Sequence, residues 1–467
     1  MARLVSMPSR AMGTSESNWC RAVKGGTGIT VIGLLFAKQL DSALVEAAIE
    51  SLLAEHPLLR AEVQDRDGKP WFMIYDTPAA ALEEIDRSSE SPGSQFSSEN
   101  AEAGSEQWLQ IVEDEMNTSF SKQNPFRVFQ CRLYRLPRDC SLLVIRVHAA
   151  GCDLASSSSI SPHIIKFLLE FSDAEKHGQS LDDFLRSKNT AHVESVVKVN
   201  LPAMESCIPK KSSRKPFWAH GVDMIGYGLL ATKHAYLPLE NTDAPRRSRL
   251  VRSIFSRDST RELIHGCSTN ATNLFGALSA ACMKAVAAFK KVGDKGEHYG
   301  SAVLLNCREM LDPAILPSSV GFYHSAMLRT LHVTESTPFW KLAKKCSDQV
   351  EEAIKNSKHF TDMWDLNTLM VQAMNFPNLT PSGSLRTTLL SLYYDPIQES
   401  FADAAASSLN LKDCVTCSSI GGVGPCLAMF PFLRDGCLHI SFIYCSPLFS
   451  QFHIQNIVDK IKDLLTQ

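Results

Sequence analysis

A buried strand that ends in a histidine and leads into a helix is the feature that most constrains this chain. Residues 141–147 are almost entirely apolar, which is typical of a strand covered on both faces. His148 and Asp153 follow, and residues 156–171 then show the apolar spacing of a helix. A histidine and a carboxylate between a strand and a helix often carry acid/base chemistry. The alternative is a purely structural hydrogen bond between the same two side chains.

The length and composition of the chain limit its class. A chain of 467 residues is too long for one compact core, so two domains are expected. The formal net charge of -3 gives no general electrostatic reason to expect nucleic acid or an anionic membrane as a partner. No apolar run reaches the roughly 18–20 residues that a membrane span needs, and residues 1–10 lack the apolar core of a signal peptide. A cytoplasmic location is therefore expected.

The 14 cysteines do not have the spacing of a metal site. Only Cys414 and Cys417 form a C-x-x-C pair, and no second pair follows at zinc-binding spacing. We therefore expect the cysteines to be small buried hydrophobic side chains in a reducing compartment. No metal site and no cofactor is predicted.

The N-terminal third predicts alternating strands and helices. A Gly-Gly-x-Gly loop at 25–28 leads into a predicted strand at 29–36. A phosphate-binding loop would follow a strand instead of preceding one, so this loop is not interpreted as a phosphate site. Asp41 is a good N-cap for a helix that stops before Pro57. Two strands joined by a turn at 137–139 then lead to the histidine described above.

Two stretches predict irregular structure. Residues 87–105 are rich in Ser, Glu and Gly and predict a flexible surface insertion. Residues 172–245 predict an irregular connector with a basic run at 210–215, which is interpreted as a solvated face or, alternatively, a phosphate-contacting patch. Regular structure is predicted again beyond this connector, with strands at 250–256, 303–308, 415–420, 427–432 and 437–444 and helices at 272–289, 338–356 and 450–465.

Six short segments carry a family resemblance, and they are Gly28-Ile-Thr-Val31, Leu40-Asp41, His56-Pro-Leu-Leu-Arg60, Thr269-Asn-Ala-Thr-Asn273, Ala277-Leu-Ser-Ala-Ala281 and Ser418-Ser-Ile-Gly-Gly422. In this order they resemble the chloramphenicol acetyltransferase-like superfamily. It includes condensation domains of peptide synthetases, alcohol and polyketide-associated acyltransferases, and the plant BAHD acyltransferases. The nearest resemblance is to a plant-type, condensation-domain-like branch, because the late Asp-Phe-Gly-Trp-Gly motif of the BAHD branch is absent.

The resemblance, which extends from about Gly13 to the C-terminus, implies an α/β fold with two similar domains. Each domain would be a mixed β-sheet with flanking helices, and a substrate tunnel would lie between the domains. The resemblance divides the chain into an N-terminal domain at 1–190, a connector at 191–245 and a C-terminal domain at 246–467. A strand near 415–432 is expected to cross from the second domain to the first.

The central motif of this superfamily is His-His-x-x-x-Asp-Gly, in which the second histidine is the general base. On this chain the first histidine falls on His148, the aspartate on Asp153 and the final glycine on Leu154. The base falls on Ala149. The structural aspartate of the family pairs with an arginine from the other domain, and that arginine falls on Arg308. The resemblance therefore implies a conserved interdomain ion pair beside a missing base.

His148 is the candidate for a displaced general base. Neighbouring side chains in a strand point to opposite faces, so His148 would need a bulge to reach the tunnel and is otherwise structural. Cys152 is a candidate nucleophile or, alternatively, a buried neutral thiol. His324 lines the tunnel or is a half-buried loop histidine. The residues predicted to line the tunnel are Ala149, Cys152, Tyr323, His324, Ser418 and Ser419.

The resemblance implies an acyltransferase that moves an acyl group from a thioester, acyl-CoA above all, to a hydroxyl or amine. The partners would be acyl-CoA as co-substrate and a small-molecule acceptor, and a monomer is expected. The alternative is a non-catalytic relative that binds acyl-CoA, an acyl chain or a protein, because Ala149 replaces the base. A structural protein without a ligand is the third possibility.

Overall fold

A computed structural model gives the fold and describes residues 9–75, 82–89, 107–120, 126–192, 201–211, 216–394 and 408–467. Most of the surface insertion predicted at 87–105 lies outside these ranges, as do four of the six residues in the basic run at 210–215.

The N-terminal part contains eight strands and five helices within the described residues. In chain order they are β1 (Ser9–Ala11), α1 (Thr14–Lys24), β2 (Thr27–Phe36), α2 (Ser42–Glu55), β3 (Ala61–Arg66), β4 (Lys69–Ile74), β5 (Leu82–Asp86), α3 (Gln107–Asn117), β6 (Phe126–Arg127), β7 (Phe129–Leu136), β8 (Cys140–His148), α4 (Leu154–Lys176) and α5 (Leu181–His192). The N-cap predicted at Asp41 is confirmed, since its side chain accepts hydrogen bonds from the backbone N–H groups of Ala43 and Leu44.

The C-terminal part continues this mixture of strands and helices. In chain order its described elements are α6 (Phe217–Lys233), β9 (Arg247–Ile254), α7 (Arg257–Thr269), α8 (Leu274–Lys290), β10 (Glu297–Asn306), β11 (His324–Val333), α9 (Phe339–Lys355), α10 (Lys358–Thr361), α11 (Met363–Asn375), β12 (Arg386–Tyr393), β13 (Leu411–Ile420), β14 (Gly424–Arg434), β15 (Cys437–Ser446) and α12 (Gln451–Leu465).

The strands form three sheets. The first domain holds a five-stranded sheet in the order β13-β2-β8-β7-β5 and a smaller one in the order β1-β4-β3-β6. The second domain holds a six-stranded sheet in the order β11-β10-β12-β14-β15-β9. Both large sheets mix parallel and antiparallel neighbours. This architecture confirms the predicted α/β class with mixed sheets in two domains.

One strand from the C-terminal part of the chain completes the first sheet. β13 pairs antiparallel with β2, with Cys414 opposite Leu34. β14 then lies in the second sheet beside β12. The crossing element is therefore 411–420 alone, because the chain turns at Gly421 and Gly422 before β14 begins. At this turn the hydroxyl of Thr27 accepts from the backbone N–H of Gly422 and donates to the carbonyl of Val423.

Each domain has its own apolar core. The first surrounds β2 and β8, on which α3 and α4 pack, and this cover explains why both strands are almost continuously apolar. The second surrounds α8, whose small residues allow a close approach. At Gly276 a Cβ atom would lie 2.4 Å from the carbonyl oxygen of Ala343. Ser347 and Ala343, two of the closest neighbours at this glycine, both lie on α9.

The prediction of irregular structure at 172–245 is wrong for two segments. The helices α5 and α6 lie there. The apolar residues of α6 have helical spacing, but their side chains are exposed and do not join the core.

All 14 cysteines are free thiols, and all but Cys140 and Cys437 are buried. In the described part of the chain, no single helix has the length and apolarity of a membrane span; α7 and α8 meet that test only together, as a pair bent by 102°.

Candidate functional site

His148 is sealed inside the first domain. Its ring stacks on Phe126, with 5.1 Å between ring centroids, and meets Phe120 edge-on at 5.6 Å. Its Nδ1 atom accepts a hydrogen bond of 3.1 Å from the backbone N–H of Ala150. Burial, with a smaller contribution from Lys24, lowers the pKa of His148 to about 3. The imidazole is therefore neutral and held in an aromatic box.

Ala149 occupies a crowded position beside Gly28. Its backbone N–H donates to the Gly28 carbonyl at 3.0 Å. Gly28 has a φ of +92°, and a Cβ atom there would lie 2.9 Å from Cβ of Ala149 and 2.8 Å from the ring of Trp19. A glycine is thus required for both conformation and space. The position to which the resemblance assigns the base is therefore occupied by a methyl group that packs on β2, close to Trp19.

Asp153 caps helix α4 and joins it to the second domain. Its Oδ1 atom accepts from the backbone N–H and the hydroxyl of Ser156, both at 2.7 Å. Its Oδ2 atom accepts from the backbone N–H of Tyr323 at 2.9 Å. The chain after His148 is therefore fixed to a loop of the other domain by this carboxylate, together with the backbone N–H of Asp153 and the hydroxyl of Ser156, which bond to Gly321.

The structure brings Arg308 onto this carboxylate as a bidentate pair. The two guanidinium contacts with Asp153 measure 2.9 and 3.0 Å, and both side chains are buried. Arg308 begins a one-turn helix, two residues after the end of β10. Its other donors reach the Ser319 carbonyl at 3.1 Å, the Asn306 amide oxygen at 3.0 Å and the Ser156 hydroxyl at 2.7 Å.

The charges in this pair stabilise each other. Burial alone would raise the pKa of Asp153, but the Arg308 guanidinium and its hydrogen bonds outweigh burial and hold that pKa below its ordinary value. Burial opposes the charge of Arg308 as well, yet Asp153 raises its pKa. A buried ion pair of this kind is tolerated because its donors and acceptors are satisfied on both sides.

His324 is the second buried histidine at the domain junction. Its Nδ1 atom lies 2.8 Å from the hydroxyl of Tyr393, and its Nε2 atom has no partner among the described residues. The ring packs against Phe322 at 4.5 Å and meets Trp19 edge-on at 6.1 Å. Burial lowers the pKa of His324 to about 4, while the carboxylate of Asp153 opposes this shift. At 7% exposed, the ring is nearly enclosed.

Trp19 and Tyr393 are parts of this site that sequence reasoning missed. Trp19, on α1, contacts the Gly28 and Ala149 side of the junction and also His324. The hydroxyl of Tyr393, at the end of β12, also accepts from the backbone N–H of Leu154 at 3.3 Å. Neither residue belongs to a motif or follows a recognisable spacing, so only the packing of the two domains reveals them.

Cys152 and Tyr323 are buried beside the ion pair. The thiol of Cys152 donates to the carbonyl of Asp153 at 3.5 Å, and burial raises its pKa above the ordinary range. The hydroxyl of Tyr323 donates to the carbonyl of Pro202 at 3.3 Å. Cys152 is therefore a protonated thiol, which is a poor nucleophile.

Ser418 and Ser419 join the crossing strand to the first sheet. The hydroxyl of Ser419 accepts from the backbone N–H of Ile29 at 3.0 Å, and that of Ser418 accepts from the hydroxyl of Thr30 at 3.4 Å. The register between β13 and β2 shifts at this point. The two hydroxyls thus supply hydrogen bonds where the backbone ladder is irregular.

Glu55, His56 and His163 have side chains of types that can ligate a metal, and they converge at the end of α2, which their sequence spacing does not reveal. Their donor atoms all lie within 4.8 Å of one another. Both ring nitrogens of His163 have protein partners, namely Glu55 at 3.2 Å and the hydroxyl of Ser51 at 3.2 Å. The cluster is therefore satisfied by contacts within the protein.

No protein-family model and no curated protein matches this sequence. Solved structures do match its fold. The trichothecene 15-O-acetyltransferase from Fusarium sporotrichioides superposes with a TM-score of 0.69 at 11% identity, covering 98% of this chain and 95% of that one. The cyclization-docking bidomain of the EpoB peptide synthetase from Sorangium cellulosum gives 0.63 at 17% identity, over 98% and 84%. The epimerization domain from the third module of tyrocidine synthetase B gives 0.64 at 14%, over 99% and 96%.

This chain has the fold of condensation domains and chloramphenicol acetyltransferase-like enzymes. The superfamily resemblance drawn from the sequence is therefore confirmed at the level of fold. At sequence identities of 11–17%, these matches establish a similarity of fold and nothing further. The plant-type branch stays a prediction.

Proposed function

We propose that this protein transfers an acyl group from a thioester, acyl-CoA above all, to a small hydroxyl or amine acceptor, with His324 as the general base. The observation that carries the proposal is the asymmetry of the His324 ring. Its Nδ1 is held by Tyr393 at 2.8 Å, whereas its Nε2 has no partner among the described residues. An oriented imidazole with one unused nitrogen is what a base needs.

The reaction follows from the tautomer in which the Nδ1–H of His324 donates to the oxygen of Tyr393. Nε2 then holds the lone pair and takes the proton of the acceptor as its oxygen or nitrogen attacks the thioester carbonyl carbon. The carbon–sulfur bond breaks, and the leaving thiolate takes the proton back from Nε2. The carboxylate of Asp153 favours the transient imidazolium, in keeping with the upward direction of its effect on the pKa of His324. The lowered pKa keeps the resting imidazole neutral, although it also makes a weaker base.

The surroundings of His148 argue against it as the base. Phe120 and Phe126 cover its ring, and its Nδ1 already accepts from backbone. An acceptor must come within about 2.6–3.2 Å of a general base, and this box leaves no approach. In the proposal His148 supports the end of β8.

A non-catalytic relative is the second candidate function, and the packing of Ala149 favours it. The methyl group lies against Gly28 and close to Trp19, so the position of the motif base is built for a small side chain. In that case the two-domain shell and the Asp153–Arg308 pair would serve to bind acyl-CoA, an acyl chain or a protein partner.

The test is thioester turnover by the purified protein. A panel of acyl-CoAs would be supplied with pooled alcohol and amine acceptors, and free CoA would be read by chromatography, because the protein's own thiols react with thiol dyes. We expect turnover by the wild type and a loss of about 10²–10⁴-fold in His324→Ala. The exposed His265 offers a matched control, and His265→Ala should behave as the wild type.

Other outcomes would redirect the assignment. Turnover lost in His148→Ala but kept in His324→Ala would make His148 the base and overturn the role of His324. No turnover by the wild type, with turnover gained in Ala149→His, would favour the non-catalytic function.

A further inference from the structure

Helix α6 carries its apolar side chains on the outside of the protein. Trp218, Val222, Ile225 and Leu229 are between 60% and 72% exposed. Their spacing of four, three and four residues places them in one row along the helix. A surface helix of a globular protein normally turns such a row toward the core. We call this row the apolar face of α6.

The opposite side of α6 is polar and attached to the second domain. His220 lies 2.8 Å from Asp365, and Asp223 lies 3.5 Å from Lys358. Tyr227 donates a hydrogen bond to Asp362. Asp362, between α10 and α11, and Asp365, on α11, are both buried.

These three anchors fix the rotation of the helix. The anchoring residues His220, Asp223 and Tyr227 are three and four positions apart and lie about half a turn from the apolar face. A cavity of about 540 Å³, lined by Arg329, Gln349 and Lys358 among others, separates this side of α6 from β11 and α9. Burying the apolar face inside the domain would break the buried contacts to Asp362 and Asp365.

Exposed lysines lie before α6 in the sequence and at its C-terminal end. Lys210 and Lys211, which open the basic run in the sequence, precede the helix and are exposed. Lys233 ends the helix and is exposed too. The acidic residue of the helix, Asp223, is on the anchored side next to Lys358. The apolar face is therefore exposed along the helix, with an exposed lysine at the C-terminal end of the helix and two more before it in the sequence.

We propose that α6 lies in the headgroup region of an anionic membrane and attaches the protein to its surface. An exposed tryptophan, a continuous aliphatic row and flanking lysines are the properties of an interfacial helix. The lysines would meet anionic lipid headgroups while the apolar face enters the acyl boundary. A helix that lies on the membrane surface in this way does not span the membrane. This inference is independent of the acyl-transfer proposal.

The test is flotation of the full-length protein with phosphatidylcholine vesicles that contain or lack phosphatidylserine. The wild type should float with the phosphatidylserine vesicles, and added salt should weaken this binding. Ile225→Glu with Leu229→Glu should weaken it by about tenfold or more, because both charges would enter the apolar boundary. Lys210→Glu with Lys211→Glu should weaken it by a similar factor and remove the preference for phosphatidylserine.

The matched control is Phe452→Glu, since Phe452 on α12 is 71% exposed but lies outside α6. It should float as the wild type does. Tryptophan emission gives an independent reading: vesicles should shift it to the blue, and Trp218→Phe should remove most of the shift.

Two outcomes would overturn the proposal. One is a wild type that does not float, or that floats no better than Ile225→Glu with Leu229→Glu. The other is a wild type that sediments as a dimer, becomes monomeric in that double variant and ignores vesicles. The apolar face would then be a contact between two copies of the chain.

Discussion

Two buried histidines lie at strand ends on the two sides of the domain junction, and their surroundings differ. His148 ends β8 with phenylalanine rings on its faces and a backbone N–H on Nδ1. His324 begins β11 with a tyrosine hydroxyl on Nδ1 and no described partner on Nε2. Burial lowers the pKa of both, to about 3 and about 4 respectively.

Burial and a shifted pKa therefore do not separate a structural histidine from a candidate base. What separates them is the partner on Nδ1 and the cover of the ring. Nδ1 of His148 accepts from a backbone N–H, so its neutral ring carries the proton on Nε2, and two phenylalanine rings cover it, whereas Nδ1 of His324 meets a tyrosine hydroxyl that can accept a hydrogen bond and leave Nε2 as the base. The ion pair of Asp153 and Arg308 joins the two regions, because Asp153 follows His148 in the chain and binds the backbone N–H of Tyr323, next to His324.

The largest expected change in stability comes from breaking this ion pair. Arg308→Ala should lower the free energy of unfolding by about 2–4 kcal/mol, since it leaves the buried carboxylate of Asp153 without its cation. Urea denaturation measures it. Arg247→Ala is the control, because Arg247 forms an exposed pair with Asp114 and should change stability by less than about 0.5 kcal/mol. An equally small effect of Arg308→Ala would mean that the pair does not hold the domains together.

The second prediction separates the two histidines by pH. The pKa of His148 is lowered from an unfolded value of about 6.5, so its neutral form stabilises the fold above that pH, and this stability is lost as the pH falls toward about 3. His148→Phe keeps the aromatic packing and cannot take up the proton. It should therefore reduce the slope of unfolding free energy against pH by up to about 1.4 kcal/mol per pH unit between pH 6 and pH 4.

Denaturation curves across this pH range, compared with those of the exposed-site control His265→Gln, measure the change. An unchanged slope in His148→Phe would mean that the ring is not sealed and already titrates in the folded protein.

The third prediction concerns the orientation of His324. Tyr393→Phe removes the hydroxyl on Nδ1 and leaves the backbone N–H of Leu154 without its acceptor, which should cost about 1–2 kcal/mol of stability. If His324 is the base, turnover should fall further than stability explains, and the pH profile of kcat should move. A stability loss with an unmoved pH profile would restrict Tyr393 to a structural role.

The smallest expected change in stability is at the pairing of β13 with β2. Ser419→Ala leaves the backbone N–H of Ile29 without its partner and should lower the unfolding free energy by about 1 kcal/mol. Turnover per folded molecule should stay the same, because the hydroxyl is used by the sheet. A marked loss of turnover with little change in stability would instead indicate that Ser419 lines the substrate tunnel, as the sequence predicts.

Much of the fold could be predicted from local pattern. The apolar run before His148, the N-cap at Asp41 and the periodicity of the last helix each depend on residues close in sequence, and the observed elements lie at these positions. The same logic failed at α6, where the apolar row faces outward, and it placed the end of the crossing strand too late, since β14 belongs to the other sheet. The apolar pattern of a segment indicates whether it is a helix or a strand, but it does not indicate which other element packs against it.

By itself, the sequence determined most of the order of strands and helices and the residue types at positions 149, 153 and 308. Only the tertiary structure decided that His148 is enclosed by two rings, that Trp19 and Tyr393 gather around His324, and that α6 is held with its apolar face outward. The physical reason is that these contacts join residues from separate elements. Their energies depend on how sheets and helices pack, which no local spacing records.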